Sequence, residues 1–321
     1  MSDRAAADRS TVVRAVFFGS GSFAVPILDA LVAVPGIRVE AVVSAPDRPV
    51  GRKAILTATP VAARARELGL ALLQPPRVRK PEALEALSAV APDLAVLADY
   101  GQLIPRVLLD LPPRGFLNLH PSALPRHRGA SPIPGTILAG DVKSAVTLMV
   151  VAEEMDAGPI VAVEPLEVRA DDTSVTLEER AAVAAARLLV RALPDWLAGR
   201  IEARPQPSDG VTITRPLRRE DGLLDPRRSA MELERQVRAY QPWPGSFFES
   251  DKTGGLRLIV AAAHIEPAEA GDRAGNFLIT SERKLAVATA DGRLVLDVAK
   301  RAGGREMSSV ELVRGWPGLI G

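Results

Sequence analysis

The stretch from Gly115 to Ile160, GFLNLHPSALPRHRGASPIPGTILAGDVKSAVTLMVVAEEMDAGPI, constrains the fold more than any other part of the chain. It opens with an apolar run ending in Asn118, Leu119 and His120, as a short buried strand would. A loop braced by Pro121, Pro125, Gly129 and Pro132 follows. The spacing then predicts a short helix, a second apolar strand over Ala145–Val151, and a closing Asp156-Ala157-Gly158. Side chains alternate faces along a strand, so Asn118 and His120 project together while Leu117 and Leu119 pack the other way. An amide and an imidazole at a strand end, with a carboxylate returning one strand later, make a polar site at the edge of an α/β sheet. Singly, each residue reads as readily as a turn or packing position. The ordered combination points to chemistry.

The rest of the chain supports an α/β reading. Val12–Phe18 is an apolar run ending in Gly19-Ser20-Gly21, the first strand of a parallel sheet, and Ser22–Ala33 has helical spacing with Pro26 in its first turns. The third glycine of a dinucleotide fingerprint is missing, which argues against NAD. Val39–Val43 and Leu94–Ala98 read as further strands, with helices over Pro60–Gly69 and Lys80–Val90. Asp172–Leu193 has the pattern of an amphipathic helix, capped by Thr173 or Ser174 and stopped by Pro194. Ile201–Gly210 is polar and Pro-rich, like a linker. Beyond it come a helix over Ser229–Ala239 and alternating segments at Leu256–Ala262, Asn276–Thr280, Lys284–Thr289 and Arg293–Ala299. Short strands at this spacing suggest a small barrel. The expected division is a tail at 1–11, a catalytic domain at 12–198, a linker at 199–212 and a C-terminal domain at 213–321.

Composition removes several function classes. The 321 residues include no cysteine, so disulfides, thiolate nucleophiles and Cys-ligated zinc are absent, which fits a reducing cytoplasm. With only three histidines, His120, His127 and His264, no metal site is expected. No apolar run reaches a membrane span, and MSDRAAADRS lacks the apolar core of a signal peptide. The net charge of +1 gives no global field for nucleic acid, so RNA contact requires a local patch. One candidate lies between Pro46 and Lys80, where eight basic residues stand against two acidic. Such clustering suits a phosphate backbone as well as an ordinary solvated surface.

The series NLHPSALPRHRGASPI, AGD, a Val-Thr pair and MDAGPI resembles the signature of the N10-formyltetrahydrofolate-dependent formyltransferases. Among them the chain is most similar to those acting on methionyl initiator tRNA, from about Val13 to Gly315. The resemblance implies a Rossmann-like formyltransferase domain without a dinucleotide, followed by an OB-like β-barrel. It implies transfer of the formyl group of 10-formyltetrahydrofolate to the α-amine of methionyl initiator tRNA, with Asn118, His120 and Asp156 catalytic. Folate contacts are expected from Ala98, Tyr100, Gly101 and Leu103, largely through the backbone, and from Ser122, Leu124, Pro125, Glu153 and Glu154. tRNA contacts are expected from Arg48, Arg52 and Lys53 and, in the C-terminal domain, from Arg215, Arg218 and Arg219. The expected protein is a cytoplasmic monomer. Alternative acceptors are an amino-sugar nucleotide or glycinamide ribonucleotide; a formyltetrahydrofolate hydrolase and an inactive folate- or RNA-binding module are further possibilities.

Overall fold

Val13–Gly19 (β1) ends in five consecutive buried residues, the burial expected of a central strand covered on both faces. A computed structural model describes residues 12–51, 54–249, 255 and 257–315. The tail 1–11, Arg52, Lys53 and Leu256 lie outside the described residues.

The chain forms two compact units, one within Met1–Ala130, Ser144–Leu166 and Glu178–Ile213, the other within Ser131–Lys143, Glu167–Leu177 and Thr214–Gly321. The first is built on a seven-stranded sheet. After β1 come Val25–Ala33 (α1), Ile37–Val43 (β2), Arg48–Val50 (β3), Ile55–Thr57 (β4) and Pro60–Glu67 (α2). Leu72–Leu73 (β5), Pro81–Val90 (α3), Leu94–Ala98 (β6), Arg106–Leu109 (α4), Phe116–His120 (β7) and Arg128–Gly129 (β8) follow. Lys143–Val150 (β9), Ile160–Glu167 (β10) and most of Ser174–Leu197 (α6) complete the run, while Pro132–Ala139 (α5), between β8 and β9 in the chain, falls in the second unit. The strand order is β10-β9-β7-β6-β1-β2-β5. β5, β2, β1, β6 and β7 are parallel, while β9 returns antiparallel to β7. β3 and β4 form a separate antiparallel hairpin.

The register matters for function. Leu97 of β6 lies opposite Asn118 of β7, and Asn118 lies opposite Met149 of β9. The ends of β1, β6 and β7 therefore open side by side, where ligands bind in open α/β sheets. Beneath them, Phe18 packs edge-on against Tyr100 with ring centroids 5.6 Å apart, and against Phe116 at 5.0 Å.

The structure corrects one expectation. Pro194 does not stop α6, which runs on to Leu197. A proline inside a helix forfeits one backbone bond. Two tertiary bonds hold the extra turn: Trp196 Nε1 donates to Arg114 O at 2.8 Å, and Arg114 Nη1 donates to Leu197 O at 2.8 Å.

The second unit is a small antiparallel β domain. Its elements include Ile213–Thr214 (β11, at the boundary), Ala230–Ala239 (α7), Ser246–Phe248 (β12), Leu258–Pro267 (β13), Phe277–Ile279 (β14) and Leu285–Ala288 (β15). Gly292–Arg301 (β16), Met307–Ser308 (β17) and Ser309–Gly315 (α8) follow. The sheet order is β12-β13-β16-β15-β14, with β17 on β16. A capping box between Ser229 and Glu232 starts α7, whose Leu233 and Val237 enter the same core as Phe248, Leu258 and Leu296.

Candidate functional site

β7 carries Asn118 and His120 to the sheet edge, and both are buried. Asp156 arrives from the loop after β9. Asn118 Nδ2 donates to Asp156 Oδ1 at 3.4 Å, a long bond, and His120 Nδ1 lies 3.7 Å from Asp156 Oδ2. The three side chains named from sequence thus meet at one carboxylate.

The tautomer of His120 follows from its other contact. His120 Nε2 lies 2.9 Å from the carbonyl oxygen of His127. A carbonyl only accepts, so Nε2 carries a hydrogen. In the neutral ring Nδ1 is then bare and faces Asp156.

The loops that hold these groups are tightly specified. Asp156 has φ 52° and His127 φ 56°, both left-handed. A residue with a β-carbon costs about 1–3 kcal/mol there, so surrounding bonds must impose the shape. Gly129 N donates to Asp156 Oδ2 at 2.8 Å. Gln206 Nε2 donates to Asp156 O at 2.7 Å and Gly158 O at 2.8 Å, and Arg128 Nη2 donates to Gln206 Oε1 at 2.8 Å. His127 N donates to Thr212 Oγ1 at 2.8 Å. Sequence reasoning missed Gln206, which sits within the segment that reads as a linker, and named Gly129 as a loop brace rather than as a donor to Asp156.

The expected folate-contact residues fall into three groups. Ala98 ends β6, and Tyr100, Gly101 and Leu103 follow in a loop. The backbone bonds of the described loops do not use the amides of Gly101 or Leu103, which leaves both for a heterocycle with donor and acceptor edges. Ser122 Oγ donates to Arg126 O at 2.6 Å, Thr147 Oγ1 donates to Ser122 O at 2.7 Å, and the Leu124–Pro125 peptide is cis. Those three residues shape the loop bearing His127, and the Ser122 hydroxyl is spent within it. Glu153 and Glu154 are exposed, 3.9 Å from Arg106 Nη1 and 3.7 Å from Arg128 Nη1 respectively. The Tyr100 hydroxyl is buried without a hydrogen-bond partner, and burial pushes its pKa up to about 12.

The basic candidates are dispersed. Arg48 is exposed on β3. In the second unit Arg215, Arg218 and Arg219 are all exposed, and Arg215 Nη1 donates to Asp221 Oδ2 at 2.7 Å. Among the described residues no group of three or more His, Cys, Asp or Glu is arranged to hold a metal ion, and no helix is long and apolar enough to cross a membrane.

Asp99, between Ala98 and Tyr100, has φ 48°. Asp99 is an exposed residue on the wall of a cavity, yet protein atoms crowd its carboxylate and deny it part of its hydration. That desolvation raises its pKa, reinforced by the charge of Glu178 and opposed by the Gly21 amide. A carboxyl raised on folding destabilises the fold once ionised: the penalty is absent below the unfolded pKa of about 3.9 and complete above the higher folded value. Asp99→Asn keeps an acceptor for Gly21. It should therefore melt higher than the parent at pH 7–8 and lose that advantage near pH 4; an equal advantage at both pH values would exclude this origin.

Comparison with known proteins finds matches along nearly the whole chain. A formyl transferase family model matches residues 13–193, and a model of the formyl transferase C-terminal domain matches residues 216–317. A protein named methionyl-tRNA formyltransferase from Halorhodospira halophila is 44% identical over 302 residues, 94% of this chain and 96% of that protein. One of the same name from Roseiflexus castenholzii is 40% identical over 303 residues, again 94% of this chain and 96% of that protein. The N-formyltransferase from Helicobacter canadensis, solved with folinic acid and dTDP-3-aminofucose, superposes with a TM-score of 0.65 at 15% identity, over 90% of this chain and 99% of that one. HypX from Aquifex aeolicus, solved with tetrahydrofolic acid, gives 0.60 at 16%, over 95% of this chain and 47% of that one. At such identities the two structures show a shared fold.

Proposed function

Because this chain belongs to the formyl transferase family, we propose that it transfers the formyl group of 10-formyltetrahydrofolate to the α-amine of methionyl initiator tRNA. The observation behind the chemistry is the meeting of Asn118 and His120 at the Asp156 carboxylate. The choice of acceptor rests on near-complete coverage by relatives bearing the methionyl-tRNA formyltransferase name. A free amine is already a nucleophile, so a cysteine-free site suffices.

10-Formyltetrahydrofolate supplies an activated formyl carbon, and attack by an amine builds negative charge on the formyl oxygen. Asn118 is suited to that oxygen. Its amide has two N–H bonds; one is turned to Asp156 and the other remains for a ligand. A donor aimed at a developing oxyanion is worth about 3–4 kcal/mol. His120 Nδ1 can take the proton released by the amine or return one to the leaving nitrogen, a service worth roughly two to four orders of magnitude in rate. Asp156 stabilises the ring when Nδ1 is protonated. The amides of Gly101 and Leu103 recognise the pterin edge, and the Ser122–Pro125 loop and Glu153–Glu154 flank the folate. Arg48, Arg215, Arg218 and Arg219 contact tRNA phosphates; Arg52 and Lys53 extend that set.

The test is formyl transfer from labelled cofactor to charged initiator tRNA, with charged elongator methionine tRNA beside it. The expected result is incorporation into the initiator at a rate far above the elongator. Release of free formate with neither tRNA labelled would reject the assignment.

A further inference from the structure

We propose that Gln206 is a positioning residue for formyl transfer, setting the Asp156 carboxylate against His120 from the segment 204–212. This rests on Asp156 serving the transfer chemistry.

The segment opens with Arg204-Pro205-Gln206-Pro207. A residue before proline is pushed to extended backbone, so Arg204 and Gln206 are both extended before any tertiary contact forms. An extended chain can pair with what lies beside it. Arg204 exchanges both backbone bonds with Ile160, at 2.7 and 2.8 Å. At the other end Thr212 Oγ1 accepts from His127 N at 2.8 Å, and Arg128 N donates to Thr212 O at 2.9 Å. Gln206 lies between these two anchors, and its amide reaches the Asp156 loop.

That amide fits only one way round. Nε2 has two hydrogens and gives them to Asp156 O at 2.7 Å and Gly158 O at 2.8 Å. Oε1 accepts from Arg128 Nε at 3.0 Å and Nη2 at 2.8 Å. A guanidinium only donates and a carbonyl only accepts, so a flipped amide would face like with like on both sides. Arg128 is joined to Gly129, whose N–H donates to Asp156 Oδ2 at 2.8 Å. A closed ring results, running from Arg128 to Gln206, to the Asp156 carbonyl, through the Asp156 carboxylate to Gly129, and back along the chain. One residue earlier, the His127 carbonyl accepts from the His120 ring at 2.9 Å. Residues 127–129 thus hold both the imidazole and the carboxylate, and Gln206 completes the frame around the Asp156 backbone. Asp156 needs this support, because a left-handed φ of 52° persists only where surrounding bonds impose it. Displacing a reacting group by about 1 Å costs roughly 10²-fold in rate.

The test uses the full-length chain with Gln206→Ala and Gln206→Glu. Glutamate has the shape of glutamine and keeps an oxygen towards Arg128, yet when ionised it has no hydrogen for either carbonyl. Both variants should lose kcat by roughly 10–100-fold, with KM for each substrate little changed. In an Asp156→Ala background Gln206→Ala should cost nothing further in single-turnover rate, because its effect passes through the missing carboxylate. A general loss of fold would instead lower the rate in both backgrounds. Hydrogen exchange at the Gly129 amide, followed by NMR without substrate, should be at least about tenfold faster in Gln206→Ala, while the β16 amides keep the parent rate. Equal Gly129 exchange in parent and variant, a Gln206→Glu variant with the parent kcat, or an undiminished loss in the Asp156→Ala background would overturn the proposal. Because the exchange reading needs no acceptor, a wrong acceptor and a wrong role for Gln206 give different results.

Discussion

Asn118→Ala is expected to lower kcat by roughly 10²–10³-fold, about 3–4 kcal/mol of barrier, with little change in KM for either substrate. The substitution removes a donor that the ground state barely uses, since its bond to Asp156 Oδ1 is a long 3.4 Å. Folding stability should fall little, because Asp156 keeps the 2.8 Å bond from Gly129 N. Rapid-mixing kinetics on the variant and its parent, with melting curves on both, separate the two effects. A variant whose KM rises while kcat holds would place Asn118 in binding rather than in the chemical step.

Gly158→Ala should damage both fold and turnover. A β-carbon at this position would stand 1.8 Å from Val150 O, 3.0 Å from Val150 C and 3.3 Å from Ala152 N. All three are backbone atoms, so no side chain can swing aside. Either β9 or the Asp156 loop must shift, and overpacking of this kind costs about 1–3 kcal/mol. Gln206 bonds the carbonyls of both Asp156 and Gly158, so a moved Gly158 carries Asp156 away from His120. The melting temperature should fall by about 2–4 °C per kcal/mol, with a loss of kcat approaching that of Asp156→Ala. Gly101→Ala, whose β-carbon would meet nothing within 4 Å, is the comparison for stability. If Gly158→Ala melts with its parent, the packing argument fails.

Much of the site is legible in sequence because strand periodicity is a local property. Two residues of separation place Asn118 and His120 on one face wherever the strand lies. One further apolar strand predicts the return of Asp156. That apolar run is blind to direction, however, and the antiparallel entry of β9 emerges only from its pairing with β7. Gln206 was hidden for a different reason. A polar, Pro-rich segment has the composition of a linker, and nothing local reveals that one amide reaches two carbonyls 48 and 50 residues earlier. The extra turn of α6 depends on Arg114, 82 residues before Trp196, so tertiary bonding overrides the local stop signal at Pro194. β12 and β17, at three and two residues, are too short for any periodicity to show.

In the proposed mechanism His120 and Asp156 act as one unit on a single proton. A double-mutant cycle on single-turnover formyl transfer, with His120→Ala, Asp156→Ala and the pair together, tests this most directly. The expected result is that the double variant is about as slow as the slower single one. Losses that multiply as though from independent groups, or singles that turn over at the parent rate, would contradict it.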